Sequence, residues 1–120
     1  VITRELINKQ KTKKERDLMK LFYVTLNTAE EAKAISLDLL EQRVAICTNW
    51  FPIECAYRWE GEVKQESEFV MIVKTQEEKR EDIEKVISKH IDYMNCIMEL
   101  NVHSINEKYL NWLNAEIPVK

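Results

Sequence analysis

The sequence predicts an α/β (α+β) sandwich in which a βαβ unit occurs twice, with a long projecting β-hairpin and a short C-terminal helix. Two observations carry this. Two apolar runs, Leu21–Leu26 and Phe69–Lys74, are each followed by a T-x-x-E box, Thr28 to Glu31 and then Thr75 to Glu78, 47 residues apart. Between them, residues 45–59 alternate apolar and polar side chains for longer than any strand of a compact domain needs.

Each element follows in order. In a T-x-x-E box the threonine hydroxyl accepts the N–H three residues on while the glutamate reaches back, so both boxes mark helix starts. After the first, Ala32, Ile35, Leu39 and Leu40 fall at helical spacing with Lys33, Asp38 and Glu41 outward, predicting a helix over 29–43. After the second, Ile83, Val86 and Ile87 form the apolar stripe. Strands follow at 45–59 and at 97–103, where Met98, Leu100 and Val102 alternate with Glu99, Asn101 and His103. Residues 107–117 make a last short helix that ends before Pro118.

The 45–59 stretch has Ala45, Cys47, Phe51, Ile53, Cys55, Tyr57 and Trp59 on one face and ends at Glu60-Gly61, a hairpin turn signal. Fifteen residues span about 50 Å, whereas a compact domain of this size has a radius of gyration of about 14 Å. The hairpin therefore projects. Pro52 lacks an N–H, which implies an edge strand or a bulge where the distal half bends away to pair elsewhere. A projecting aromatic ribbon implies that other subunits cover it.

With 120 residues, 45% apolar and 32% charged, the chain is one ordinary globular domain over 21–117, with a basic extension at 1–20 and a tail at 118–120. Residues 1–20 carry seven Lys/Arg against three Asp/Glu, so the remainder is strongly acidic under a net charge of −3. An acidic body argues against nucleic-acid binding. No apolar run approaches a membrane span. The single glycine, Gly61, excludes glycine-rich phosphate loops and the G-x-S-x-G elbow. Three cysteines without C-x-x-C spacing suggest a reducing, cytoplasmic setting rather than a disulfide framework. The carboxylate pairs are accounted for by helix N-termini, and no nucleophile–base signature is visible, so a non-enzymatic role is expected.

Cys47-Thr48-Asn49, Pro52, Tyr57-Arg58-Trp59-Glu60-Gly61, Ile72-Val73-Lys74-Thr75, His90, and Asn106 with Tyr109-Leu110-Asn111-Trp112-Leu113 together form a pattern. It resembles the CutA divalent-ion tolerance family from about Leu21 to Leu113. The resemblance implies a ferredoxin-like sandwich assembled as a homotrimer, similar in plan to the PII signalling proteins, with intersubunit clefts lined by the matched residues. Departures cluster after the family's histidine, where His-Pro-Tyr-Glu-Val-Pro-Glu-Ile is replaced by His90-Ile91-Asp92-Tyr93-Met94-Asn95-Cys96-Ile97. Asn101 and Ile105 replace a proline and a glycine.

Cys47, His90 and Cys96 form the candidate metal set. Thiolate and imidazole suit copper or another soft or borderline divalent cation. Cys47 equally suits a small buried hydrophobe on a strand, and His90 suits a helix C-terminus. Lys74 is a candidate cleft cation able to hold an anion. Tyr57, Trp59, Tyr109 and Trp112 are expected at subunit interfaces or against a cleft ligand. Two roles result: metal tolerance through a trimeric metal-binding protein, or a PII-like trimeric sensor or scaffold without a physiological metal.

Overall fold

The computed structural model describes residues 19–118. The basic extension lies outside them apart from its last two residues, as do residues 119–120 of the tail. Seven elements follow one another: β1 (Met19–Leu26), α1 (Ala29–Glu41), β2 (Cys47–Trp59), β3 (Glu62–Gln76), α2 (Arg80–Ser88), β4 (Ile97–Asn101) and α3 (Glu107–Glu116). The strands form one sheet in the order β2-β3-β1-β4, with every neighbouring pair antiparallel. The βαβ repetition is present, and β1 begins two residues before its apolar run because Met19 and Lys20 continue the ladder opposite Gln76 and Thr75.

One sheet face packs on α1 and α2. Period-two alternation turns Phe22, Val24 and Leu26 of β1 and Met71 and Val73 of β3 onto this face, where they meet Ala32, Ile35 and Leu39 of α1 and Ile83, Val86 and Ile87 of α2. The Thr28 capping box forms as read. The Glu31 N–H donates to Thr28 Oγ1 at 3.1 Å, and the Thr28 N–H donates to Glu31 Oε1 at 3.0 Å. Leu40 departs from the expected stripe at 38% exposure, and Ser36 is buried in its place, its hydroxyl on the Met71 sulfur at 3.3 Å. Positions 32, 35, 36 and 39 are the tight i, i+3, i+4, i+7 set, and Leu40 lies one step round the cylinder.

The second capping box does not form. Strand pairing runs through Thr75 and Gln76, so Thr75 is fully buried and its hydroxyl donates to the Val44 carbonyl at 2.5 Å. The chain turns at Glu78 (φ 65°), and α2 starts at Arg80 after Lys79, without a side-chain cap. The last strand also differs. It ends at Asn101, and Ile97 and Glu99 lie opposite Val24 and Phe22 on the helix-covered face, leaving Met98 and Leu100 on the other, 46% and 42% exposed. Arg80 explains the tolerance of Glu99 there: its guanidinium lies 5.4 Å from the Phe22 ring centroid, donates to the Ile97 carbonyl at 3.2 Å and pairs with Glu99 at 3.9 Å.

The hairpin projects as expected. β2 starts at Cys47, two residues after the expected Ala45, and pairs with β3 without interruption from Cys47 opposite Lys74 to Trp59 opposite Glu62. Pro52 sits opposite Phe69 in continuous register. Its place is an edge strand with no bulge, and the distal half stays on β3 rather than pairing elsewhere. Only residues 69–76 of β3 also pair with β1, so β2 from Ile53 onward and β3 up to Glu68 form a free two-stranded ribbon. The turn has positive φ at both Glu60 (49°) and Gly61 (79°), the backbone of a two-residue hairpin matched to strand twist. The ribbon gives the molecule its long dimension of 60 Å against 33 and 24 Å.

Candidate functional site

The candidate residues occupy three places. The first is on the sheet face opposite α1 and α2, where α3 crosses the end of β3. Gln76 anchors α3 by donating to Asn114 Oδ1 at 3.0 Å and to the Ile117 carbonyl, and Leu113 and Ile117 are buried. This docking lays Tyr109 beside the cross-strand pair Cys47 and Lys74. The Lys74 ammonium is 3.9 Å from the Cys47 sulfur and 5.8 Å from the Tyr109 ring centroid. Tyr109 and Trp112 meet edge to face at 5.4 Å. Burial pushes the Tyr109 phenol above its ordinary range, and a hydrogen bond with Cys47 adds to the shift. Cys47, Lys74, Tyr109 and Trp112 are therefore brought together.

Tyr57 and Trp59 lie elsewhere, on the same sheet face but out along the ribbon. They border an open groove of about 770 Å³ between the ribbon and the Tyr93–Cys96 loop. Glu66 and Glu68, which sequence reasoning passed over, also border it. Hydrogen bonding to Glu68 raises the Cys55 thiol above its usual range, and hydrogen bonding to Glu66 does the same to the Tyr57 phenol, because a neighbouring carboxylate disfavours a second negative charge. Alternation alone could have found these two carboxylates, since both face the side of Cys55 and Tyr57.

Cys96 is exposed at the groove's body end, where its N–H donates to Thr25 Oγ1 at 3.0 Å and its carbonyl accepts the Thr25 N–H at 3.1 Å. His90 lies in the helical layer. Its Nε2 is 2.8 Å from Asp38 Oδ2, which also takes the Lys89 ammonium at 3.0 Å. Asp38 is thus turned toward α2 rather than to open solvent as its helical position suggested. The sequence signal for it is weak: Asp38 stands at the border of the buried stripe, between Ile35 and Leu39. These contacts, the His90 hydrogen bond first, hold the Asp38 carboxyl at about 2.

Cys47, His90 and Cys96 do not meet within one chain. Cys47 is level with Leu21 through Lys74, Cys96 is level with Thr25, and three strand spacings separate β2 from β4. At about 4.8 Å per strand and 3.3 Å per residue their backbones stand roughly 20 Å apart, far beyond metal–ligand bonds of about 2.0–2.3 Å. His90 is on the opposite side of the sheet from Cys47. Among the described residues no group of three or more His, Cys, Asp or Glu side chains is placed to hold a metal ion. The donor types fit a soft or borderline cation. Their placement fits one only if further donors come from outside the chain.

No helix among the described residues is long and apolar enough to cross a membrane. Residues 20–116 match the family of the CutA1 divalent ion tolerance protein. The divalent-cation tolerance protein CutA of Thermotoga maritima is 36% identical over 100 residues, covering 82% of this chain and 99% of that protein. The corresponding protein of Archaeoglobus fulgidus is 34% identical over 96 residues, covering 79% and 94%. The solved structure of the A. fulgidus protein, described as periplasmic, superposes with a TM-score of 0.80 at 32% identity, covering 83% of this chain and 99% of that one. Sequence match and superposition agree over the same α+β body, and the chain belongs to the CutA1 divalent-ion tolerance family.

Proposed function

We propose that this chain acts in divalent-cation tolerance as a ferredoxin-like homotrimer, without catalysis, and that it binds a soft or borderline cation, copper foremost, through donors from more than one subunit. The observation that carries the reading is the separation of the donors. Two thiols and an imidazole suited to such a cation stand at three places on one chain, whose ribbon reaches well beyond its own body. The ribbon and the open sheet face leave Phe51, Trp59, Met98 and Leu100 about half exposed, apolar surface of the kind that assembly covers. Three free thiols suit a reducing compartment, taken here to be the cytoplasm.

A specific observation favours a second reading. The Lys74 ammonium beside Cys47 and Tyr109 opposes a cation at that place and suits an anionic small ligand, as a PII-like sensor would need. Titration of the reduced, assembled protein with zinc or copper(I), and separately with magnesium and calcium, distinguishes the two. Metal tolerance predicts tight binding of the first pair only, weakened in C47A, H90A and C96A, and weakened progressively as pH falls because protons compete with the metal for thiolate and imidazole donors. Absence of binding, or affinity indifferent to all three substitutions, contradicts it.

A further inference from the structure

The chain enters its described body through the middle of the sheet. β1 lies between β3 and β4, with Met19 opposite Gln76 and Lys20 opposite both Thr75 and Asn101. Met19 and Gln76 are buried. Residues 1–18 therefore join the body beside the end of β3, where Glu77 follows Gln76. Glu77 Oε2 is sealed from solvent and accepts no hydrogen bond, the only such side-chain atom among the described residues. A carboxylate oxygen withdrawn from water requires a donor, and a cationic one serves best. The neighbouring described cations are engaged elsewhere. Lys20 donates to Asn101 Oδ1 at 2.5 Å, and Arg80 holds the Ile97 carbonyl, Glu84 and Glu99.

We propose that the basic segment 1–18 docks against the end of β3 and that Arg16 supplies the cation for Glu77. Charge selects this occupant first: the segment carries six Lys/Arg against three Asp/Glu, whereas the rest of the chain is acidic. Register selects the residue. Counting the β1–β3 ladder on by one pair sets position 18 opposite Glu77 and position 16 diagonal to it on the same face, about 7–8 Å away and within reach of a long side chain. Alternation also sorts the charges, with Lys14 and Arg16 on the face of Glu77 and Glu15 and Asp17 on the other. An arginine fork can bond both oxygens of one carboxylate. The contact fastens the extension where it enters the sheet, independently of any metal.

The test is denaturant unfolding of the full chain at a fixed protein concentration for wild type, Glu77→Gln, Arg16→Met and the double variant, with limited trypsin digestion of each native protein. Each single variant is expected to raise the unfolding equilibrium constant roughly tenfold, and the double variant no more than either alone, because both act through one contact. Trypsin is expected to cleave after Lys13 and Lys14 faster in both single variants than in wild type, with cleavage after Lys9 unchanged. Additive losses, or digestion unaffected by Glu77→Gln, overturn the contact. Coupling of Glu77→Gln to Lys14→Met in place of Arg16→Met overturns the choice of residue. Coupling that disappears on dilution assigns the cation to a second copy of the chain, and a Glu77→Gln variant as stable as wild type shows that water satisfies the oxygen; either result overturns the docking of this segment on its own body.

Discussion

Tyr93 reaches back from the loop after α2 to place its phenol on Glu31 Oε1 at 2.9 Å, the oxygen that also accepts the Asn27 and Thr28 N–H groups. The phenol oxygen in turn accepts the Asn27 N–H at 2.9 Å. The loop between α2 and β4 is thus built into the N-terminal cap of α1. Asn95 adds a bond to the Thr25 carbonyl at 2.9 Å, so the loop is held at both its middle and its end.

Tyr93→Phe removes one donor and one acceptor and should lower stability by about 1 kcal/mol, the net worth of an intramolecular hydrogen bond. Denaturant unfolding checks this. Burial, and beyond it the Glu31 carboxylate, pushes the Tyr93 phenol up to about 12. A raised folded pKa means that the contribution is fully present below the unfolded value near 10 and is lost as pH rises toward 12. Wild type should therefore lose stability over that alkaline window by more than Tyr93→Phe does.

At the acid end the sign reverses. Asp38, held at about 2 against an ordinary 3.8 by His90 and then Lys89, stabilises the fold above the ordinary value, and this is lost as pH falls from about 4 through 2. Asp38→Ala should flatten that part of the acid-unfolding profile followed by circular dichroism. An unchanged profile would show that the contact to His90 does not persist in solution.

Thr75 tests the replaced capping box. Thr75→Val leaves the Val44 carbonyl without its donor inside the core and should cost about 1–3 kcal/mol, whereas Thr75→Ser keeps the hydroxyl and should cost less. Helix content should stay the same in both, because Thr75 does not cap α2. Loss of α2 signals in an NMR spectrum of Thr75→Val would restore the capping role.

Trp59 is half exposed on the ribbon of a single chain, so Trp59→Ala should barely alter the body. If a second subunit buries it, the substitution costs roughly 3–5 kcal/mol at a packed site, expressed as dissociation. Light scattering across a dilution series should show the variant falling apart at concentrations where wild type does not.

Much of the fold was legible because local chemistry and long-range packing agreed. The Thr28 box, the Glu60-Gly61 turn and the 45–59 alternation each specify one conformation, and the core required it. Thr75 shows the limit: a local cap signal lost to two further residues of sheet pairing with Met19 and Lys20, which no window around Thr75 contains. Glu99 shows another, since its place on the helix-covered face depends on Arg80, a partner from another element. The candidate site divided in the same way. Cys47 and Lys74 are register neighbours across a hairpin, and hairpin register can be counted from Glu60-Gly61. The pairing of His90 with Asp38 joins residues 52 positions apart through the packing of α2 on α1, and periodicity alone gives only the faces, not the contact.

Native mass spectrometry of the reduced protein with substoichiometric zinc tests most directly the claim that ions are held between subunits. The expected result is a trimer that retains zinc, together with a Trp59→Ala monomer that retains none. A monomer holding zinc as tightly as the assembled protein, or a trimer from which zinc is always absent, would contradict it.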